Sequence, residues 1–284
     1  MKRITIFSTV AAIVFVALSF SSLRAESVDG ELIVSGNKIF LKKAKNTIII
    51  NDDADEKLNV KFSLFKEKIL YAKKKSVGIY DVYVHNAKNG RLELTVNSGV
   101  NCYELLDLDI VNKNILFCRC DKSKGYEQLD FFSLKDGSVI LNLLGASFGI
   151  SQSADKIIYI QLPPRGAPEF IKPAVNLLSL AGNQGLKFDE KSIVQVYKFE
   201  SGDIGISSDF AWKNSDVVAF IVAGIESNKL VVLNFHNEPK NPGKTVKIFD
   251  KAIMKIEKIE WVNNGIRITG INHNGEAVMA VLEI

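Results

Sequence analysis

The sequence lacks the periodicity of long amphipathic helices. Across its 284 residues, apolar side chains seldom recur at the three- and four-residue spacing that marks one face of a helix. A mainly helical fold is therefore not expected. Long disorder is not expected either, because 47% of the residues are hydrophobic, which is enough to build a core.

Cysteine is scarce, with Cys102, Cys118 and Cys120 as the complete set. A Cys-x-Cys pair without further clustered ligands does not make a zinc site. Cys118 and Cys120 stand two apart on a predicted strand, about 6.6 Å from each other, which is the limit of disulfide reach. Cys102 begins the preceding strand of the same hairpin, so two readings stay open: a Cys102–Cys120 bridge with one odd thiol, or three buried apolar side chains.

Long apolar runs are also missing, except at the start of the chain. Lys2 and Arg3 precede an apolar stretch over residues 4–20, and Ala25 follows. This layout predicts a secretory signal peptide over residues 1–25, cleaved after Ala25. The alternative is an uncleaved anchor, because the stretch is close to the ~20 residues that span a bilayer. Export predicts a periplasmic or secreted protein.

The chain carries little excess charge of either sign. Its formal charge is +4, but residues 1–25 contain three basic and no acidic residues, which leaves 33 basic and 32 acidic residues in the remainder. A nearly neutral domain has no electrostatic footprint for nucleic acid. We therefore expect no nucleic-acid partner, and contact with a membrane only if the first segment stays uncleaved.

Short runs rich in β-branched and aromatic residues make up the rest of the chain, separated by turns with Gly, Asn, Asp and Ser. They predict an all-β fold. The predicted strands cover residues 38–42, 47–51, 60–64, 69–73, 80–85, 91–96, 103–110, 115–120, 128–134, 139–143, 157–162, 175–179, 193–199, 217–223, 229–234, 246–249, 256–261, 266–271 and 277–282.

The strongest apolar runs recur at a regular interval. They begin at residues 69, 115, 157, 217 and 266, so successive starts lie 46, 42, 60 and 49 residues apart. A period of about 40–45 residues with four strands matches one propeller blade. We therefore expect a single β-propeller domain over residues 26–284, with about five to six four-stranded blades. The strands within residues 31–52 are expected to complete the last blade and close the ring.

Several of these repeats resemble a known family. Residues 212–220 read Trp-x-x-x-x-x-Val-Ala-Phe, which resembles the Trp-Ser-Pro-Asp-Gly-x-x-Ile-Ala-Phe repeat of TolB-like propellers. Residues 151–159 and 261–268 resemble further copies, and residues 80–84 resemble the strand that follows. The resemblance covers residues 60–284 and implies a TolB-like or WD-repeat-like propeller. It implies fold rather than function.

Motifs for catalysis and nucleotide binding are incomplete. Residues 145–149 match Gly-x-Ser-x-Gly, but a nucleophile elbow needs a helix after the serine, and a turn-rich stretch leading into another strand follows here. We therefore expect a turn between blades. Residues 242–245 echo the end of a phosphate loop, but Glu238 occupies the position of its first glycine.

Metal sites and paired catalytic carboxylates have little support. Residues 52–56 are acidic but lack the glycine and the spaced glutamate of a calcium loop. His85, His236 and His273 fall in different repeats. A carboxylate pair of the glycosidase type stays open, and the available residues are Asp107, Asp109, Asp203 and Asp209. We expect no catalytic residue, no cofactor and no metal.

One insertion favours binding. Residues 162–173 hold four of the six prolines, together with Arg165 and Phe170. Proline lowers the entropy lost on docking, and Arg and aromatic residues are favoured at interfaces. Pro163, Pro164, Arg165 and Phe170 are therefore the candidate partner-binding loop of a non-enzymatic envelope scaffold that binds a protein. The alternative is a propeller with a small-ligand or enzymatic site in its central channel.

Export generates the first testable prediction. Protein recovered from cells is expected to begin at Glu26, and Ala25→Leu is expected to block cleavage, because the processing enzyme requires a small residue before the cut. Mass measurement of the intact protein tests this. A wild-type protein that keeps Met1 and sediments with membranes would instead establish the anchor.

Overall fold

The computed structural model describes residues 30–97, 102–111, 113–122, 126–163, 173–180, 192–236, 241–249, 253, 255–263 and 265–284. These residues form 22 strands and no helix. Accordingly, the part of the chain that is described contains no helix long and apolar enough to cross a membrane. The signal segment over residues 1–25 lies outside the described residues.

The strands form antiparallel sheets, here named A to F in chain order, of which C and D share one strand and together make a seven-stranded sheet. Neighbours in the chain are neighbours in each sheet, except in sheet E, where the first two strands both pair with the third. Sheet A contains β1 (Glu31–Ser35), β2 (Lys38–Lys42) and β3 (Thr47–Asn51), and sheet B contains β4 (Leu58–Phe62), β5 (Lys68–Ser76), β6 (Ile79–Asn86) and β7 (Leu92–Asn97). Sheet C contains β8 (Glu104–Val111), β9 (Ile115–Asp121), β10 (Glu127–Ser133) and the first half of β11 (Val139–Ile150).

The remaining three sheets follow in the same way. Sheet D contains the second half of β11, β12 (Lys156–Gln161), β13 (Ala174–Ser179) and β14 (Ile193–Lys198). Sheet E contains β15 (Asp203–Ile206), β16 (Ala211–Trp212), β17 (Val217–Gly224), β18 (Asn228–Asn234) and β19 (Gly243–Phe249), and sheet F contains β20 (Lys255–Val262), β21 (Gly265–Ile271) and β22 (Ala277–Glu283).

Each sheet packs face to face on the next sheet in the chain. Five hydrophobic layers join A to B, B to C, C to D, D to E and E to F. In the A–B layer, for example, Ile39 and Leu41 meet Ile69 and Tyr71. Each large apolar side chain buried in this way contributes about 1.5–3 kcal/mol, so the layers are the main source of stability.

The terminal sheets correct one expectation. The strands within residues 31–52 were expected to complete the last blade, yet β1, β2 and β3 pair only with one another. Sheet A packs on sheet B, and no hydrophobic layer among the described residues joins it to sheet F. The expectation of four strands also fails for sheets A and F, which have three each among the described residues. Each of these two sheets therefore corresponds to the first three strands of a blade and lacks the fourth, outer strand.

One strand, β11, belongs to two sheets. Residues 139–145 pair with β10, and residues 146–150 pair with β12. The strand changes sheet at an irregularity between Ala146 and Gly149, where Ser147 has a positive φ of 51°. The Gly-x-Ser-x-Gly match therefore lies within a strand that passes from sheet C to sheet D, whereas a turn between blades was expected. Gly149 is required there, since a Cβ would lie 2.6 Å from the Cβ of Phe210.

The two tryptophans occupy equivalent places, as the repeats predict. Trp212 packs in the layer between sheets D and E, and Trp261 packs in the layer between E and F. The indole of Trp261 also donates a hydrogen bond of 2.9 Å to the carbonyl oxygen of Ala211. Both side chains therefore hold their sheet against the preceding one rather than offering a stacking surface to a ligand.

The cysteines resolve the two readings left open above. Cys102 and Cys120 form a disulfide, with their Cα atoms 5.2 Å apart. Cys118 is a free thiol, fully buried in the layer between sheets B and C, and burial raises the pKa of that thiol. The bridge joins Cys102, which lies two residues before β8, to Cys120 in β9. The Cys102 amide also donates a hydrogen bond to the Gly78 carbonyl of sheet B.

The disulfide generates the second prediction. Cys102→Ser combined with Cys120→Ser is expected to lower the free energy of unfolding by about 3 kcal/mol, because the bridge closes a loop between residues 18 positions apart in the unfolded chain. Denaturant titration measures it. A reductant should lower the stability of the wild type by a similar amount and leave the double variant unchanged; no effect of reductant on the wild type would contradict the bridge.

Candidate functional site

The sheets present two different ends. At one end lie the turns around Phe65, Ala154 and Lys213. Phe65 packs against the layer that contains Ala154, and Gln152 Nε2 donates to the Lys213 carbonyl over 3.2 Å. Because consecutive strands are antiparallel, the intervening turns lie at the opposite end. We call that opposite end the loop end: residues 77–78, 102–103, 161–163, 199–204 and 225–227.

Hydrogen bonds at the loop end join turns from neighbouring parts of the chain. The Cys102 amide donates to the Gly78 carbonyl over 3.0 Å, which brings the connection before β8 to the turn after β5. The Ile225 amide donates to the Gly202 carbonyl over 2.8 Å, which brings together the turn after β17 and the connection before β15. The loop end therefore collects segments from sheets B to E.

The candidate binding loop starts at this end. Pro163 is described and half-buried, while Pro164, Arg165 and Phe170 lie outside the described residues. The base of the loop is firmly placed, because Gln161 pairs with Ala174, and Ala174 pairs with Lys198 on its other side. Residues 162–173 therefore leave the protein beside the last residue of β14.

Exposed apolar side chains accompany the loop. Val77, Tyr103, Ile204 and Ile225 all lie at the loop end, and each is between 66% and 90% exposed. Single exposed apolar residues are ordinary, but their recurrence at one end, from two sheets and one connection, is typical of a contact surface. Tyrosine is favoured in such surfaces because it combines apolar area with a hydrogen-bonding group.

Two cavities adjoin the base of the loop. The first, of about 580 Å³, is lined by Gln195 to Ser201 and by Lys244. The second, of about 350 Å³, is lined by Ser201 to Asp203, Gly224 to Ser227 and Lys229. Ser201 lines both cavities. Lys198, which lines the first cavity, pairs with Ala174 at the base of the loop. Reasoning from the sequence missed both cavities.

The charged groups around these cavities are paired with one another. Lys229 Nζ lies 2.8 Å from Asp203 Oδ1 and 2.9 Å from Glu200 Oε2. The hydrogen bond to Asp203, with that to Glu200, raises the pKa of Lys229. The Tyr197 hydroxyl donates to Asp203 Oδ2 over 3.2 Å, and burial and the Asp203 charge raise the pKa of Tyr197 to about 12. These side chains therefore hold one another in place at the wall of the cavities and do not form a reactive group.

A second charged group lies on the first strands of sheets B and C. Lys61 Nζ is 2.7 Å from Asp107 Oδ1 and 3.2 Å from Asp109 Oδ2. Burial disfavours the Lys61 ammonium, but the hydrogen bond and charge of Asp107 and the charge of Asp109 outweigh it and raise the pKa of Lys61. In an inverting glycosidase the two catalytic carboxylates leave room for a water molecule between them and the sugar. Here the Lys61 ammonium binds both Asp107 and Asp109 instead.

The other two candidate carboxylates lie on other elements. Asp203 belongs to the Lys229 group described above. Asp209 is exposed in the connection between β15 and β16. The four carboxylates that the sequence offered are therefore divided between two ion-paired groups and one exposed connection.

The two incomplete motifs also lie in strands. Ser147 is within β11 and is followed by another strand, so the helix of a nucleophile elbow is absent from that described place. Gly243 and Lys244 belong to β19, which is likewise unlike a phosphate loop. Neither segment has the backbone geometry that its motif requires.

The histidines are also separate. His85 is buried in sheet B, with Nε2 3.2 Å from the Tyr71 hydroxyl and Nδ1 3.0 Å from the Gly90 carbonyl oxygen, and burial lowers its pKa. His236 lies near Asp216, and His273 is exposed in the turn after β21. Among the described residues, no three or more His, Cys, Asp or Glu side chains are grouped to hold a metal.

The acidic turn is satisfied internally. Asp53 pairs with Lys57 at 2.5 Å and also with Lys73. Burial alone would raise the pKa of Asp53, but its hydrogen bonds with Lys57, Lys73 and Asn51 lower it well below its usual range. These contacts attach the connection between sheets A and B to the end of β5. The acidic segment is therefore a solvated turn rather than a calcium loop.

Comparison with known proteins places the fold. No protein-family model matches the chain, and no curated protein matches its sequence. A eukaryotic initiation factor structure is 14% identical with a TM-score of 0.56, and the match covers 89% of this chain and 60% of that one. The β-propeller domain of the Trilobed protease from Pyrococcus furiosus is 11% identical with a TM-score of 0.46, covering 89% of this chain and 77% of that one.

TolB from Acinetobacter baumannii is also similar, at 9% identity and a TM-score of 0.39, covering 86% of this chain and 58% of that one. This chain thus spans about three fifths of the length of the initiation-factor and TolB chains. Identities this low bear on fold alone. Among these three structures, the initiation factor, with a TM-score of 0.56, is the one whose similarity bears on the fold of this chain.

Proposed function

We propose that residues 26–284 form a single β-propeller of five to six blades, exported to the periplasm or beyond. In this proposal the propeller is a non-enzymatic interaction or scaffold module that binds a protein partner of the cell envelope through its loop end. The fold part of the proposal rests on the six sheets, which stack in chain order through five hydrophobic layers.

The arrangement of the first strands supports a ring around a central axis. In three places, an early strand of one sheet lies beside the first strand of the next sheet: β1 beside β4, β5 beside β8, and β16 beside β20. Blades that meet mainly through their faces and inner strands are the usual construction of a propeller.

Export is supported by the disulfide. Bridges form and persist in oxidising compartments and are rare in the cytosol, where thiols are kept reduced. The Cys102–Cys120 bridge therefore agrees with the secretory pattern of residues 1–25. The fully buried Cys118 is protected from exchange with that bridge, since a buried, protonated thiol is a poor nucleophile.

The gathering of exposed apolar side chains at the loop end is the observation that carries the binding proposal. Val77, Tyr103, Ile204 and Ile225 lie at the same end of the sheets as the base of the 162–173 loop, and so do the two cavities. A rigid sheet scaffold that presents loops at one end is a common platform for partners. The charged groups nearby are braced by ion pairs and help to fix the platform.

The third prediction tests this surface. In crosslinked envelopes, deletion of residues 163–173 or the change Ile225→Glu is expected to reduce recovery of the dominant partner at least tenfold, because a buried carboxylate is unfavourable in an apolar contact. Mass spectrometry of the purified complexes measures recovery. Val139→Glu is the matched control, because Val139 is 59% exposed and lies at the opposite end.

Circular dichroism of each variant confirms that the fold is intact. Equal recovery with all three variants would remove the loop end as the contact surface. Loss of the partner with Val139→Glu alone would move the contact to the opposite end.

The alternative function is a small-ligand or enzymatic site at the central channel. It is favoured by one observation, the convergence of Lys61, Asp107 and Asp109 from the first strands of two sheets. A thermal-shift screen of metabolites and glycans separates the two functions. A ligand that stabilises the wild type and Ile225→Glu but not Lys61→Met would support the channel; a partner lost with Ile225→Glu and kept with Lys61→Met would support the loop end.

A further inference from the structure

The outer edge of sheet F is free of a strand partner among the described residues. Sheets B to E each have a fourth strand that covers their third strand, whereas β22 is the third strand of sheet F and pairs on one side only, with β21. Its other side presents a row of backbone donors and acceptors. An edge of this kind is a template for pairing with another chain unless the sequence protects it.

Apart from Glu283 at its end, the sequence of β22 carries none of the usual protections. From Ala277 to Leu282 it reads Ala-Val-Met-Ala-Val-Leu, with no charge and no proline. It pairs with β21 in unbroken register over seven residues, so no bulge twists the edge away. Lysine, proline and bulges are the devices that normally prevent edge pairing.

Comparison with the other outer strands sets β22 apart by its unbroken register together with its lack of charge. The first half of β11, residues 139–145, also lacks charge and proline, but it pairs with β10 across a register shift. Edge strand β19 contains Lys244 and Lys247. Edge strand β14 ends in Lys198 and pairs across a register shift, and β7 contains Glu93 and also has a register shift. Edge strand β3 is five residues long and pairs across a register shift as well. Among these outer strands, β22 is the one that combines a run of six residues without a charge, from Ala277 to Leu282, with an unbroken register.

The side chains of β22 divide into two faces. Val278, Ala280 and Leu282 pack in the layer between sheets E and F. Met279 and Val281 point the other way and are 65% and 53% exposed. Both the edge and one face of this strand are therefore apolar and accessible.

The strand is complementary to itself. If two copies pair antiparallel about Ala280, then Val278 of each copy opposes Leu282 of the other, and Met279 opposes Val281. Each of these cross-strand pairs is apolar, and such pairs contribute about 0.2–1 kcal/mol each. The two-fold axis repeats every favourable pair, which is the property of an isologous interface.

We propose that β22 is a dimerisation edge, which joins two copies of this chain by antiparallel β22–β22 pairing centred on Ala280. The pairing would extend sheet F into a continuous six-stranded sheet across the two copies. The contact is small, so the dissociation constant is expected in the micromolar range, about 1–100 µM. The loop end belongs to other parts of the chain and is not used by this contact.

The first experiment is sedimentation velocity of the exported protein over a concentration series from about 1 µM to about 500 µM. The wild type is expected to shift from monomer to dimer. Val281→Lys is expected to weaken association at least tenfold, because each copy would bury a lysine against Met279 of the other. Ile248→Lys is the matched control, since Ile248 is 70% exposed on edge strand β19, and it should leave the dimer unchanged.

The second experiment fixes the register. In the double variant Met279→Cys with Val281→Cys, the thiol at position 279 of each copy should face the thiol at position 281 of the other. Intermolecular disulfides should therefore form on mild oxidation. The double variant Val246→Cys with Ile248→Cys gives the same spacing on β19 and should not crosslink.

Three outcomes would overturn the proposal. The first is a wild type that stays monomeric over the whole concentration series. The second is a dimer that survives Val281→Lys with unchanged affinity. The third is a dimer of the β22 double-cysteine variant that forms no intermolecular disulfide on oxidation.

Discussion

The burial of both faces of every central sheet is the constraint on which this structure depends. Sheets B to E each lie between two hydrophobic layers, so their middle strands cannot show the simple alternation of a half-exposed sheet. Strand β17 illustrates this, because six of its eight residues are buried. Such strands hold few polar side chains within the sheets, and a buried one such as His85 is hydrogen-bonded. Polar and exposed groups are therefore displaced to the ends of the strands, where the turns are.

Ion pairs between neighbouring sheets add to the contacts that the apolar layers make. Lys61 of β4 reaches Asp107 of β8, and Lys156 of sheet D lies 3.0 Å from Asp216 of sheet E. Partly exposed pairs of this kind contribute about 0.2–1 kcal/mol each, far less than one apolar layer. Their effect is directional, because they fix how one sheet is rotated and shifted against the next. Because the sheets are aligned in this way, the turns at the ends of their strands, including those of the loop end, keep fixed positions relative to one another.

Much of the fold could be predicted from the sequence, and the failures have physical causes. Strands β2 and β3 were predicted to the residue, because β-branched runs between turns are a local signal. Strand β15 was missed, since it is short and only partly buried. The second half of β11 was expected to be a turn because of its glycines, whereas pairing with β12 makes it a strand. Sheet A packs on B through contacts that no local pattern reveals.

The candidate site divides in the same way. The 162–173 loop could be recognised from its prolines, a purely local feature. The cavities beside it could not, because Lys244 joins Tyr197 from a different sheet through a cation–π contact at 5.5 Å. Pairing of Lys229 with Asp203 and Glu200 is likewise a product of the tertiary arrangement.

The passage of β11 through two sheets has a mechanical consequence. At its change of sheet there is almost no slack between the residue bound to β10 and the residue bound to β12, since Gly145 and Ala146 are adjacent in the chain. A pulling force on either sheet is therefore transmitted along a covalent strand into the hydrogen-bond ladder of the other. We therefore expect sheets C and D to lose their hydrogen bonds together, whereas the two ends of the chain unfold one hairpin at a time.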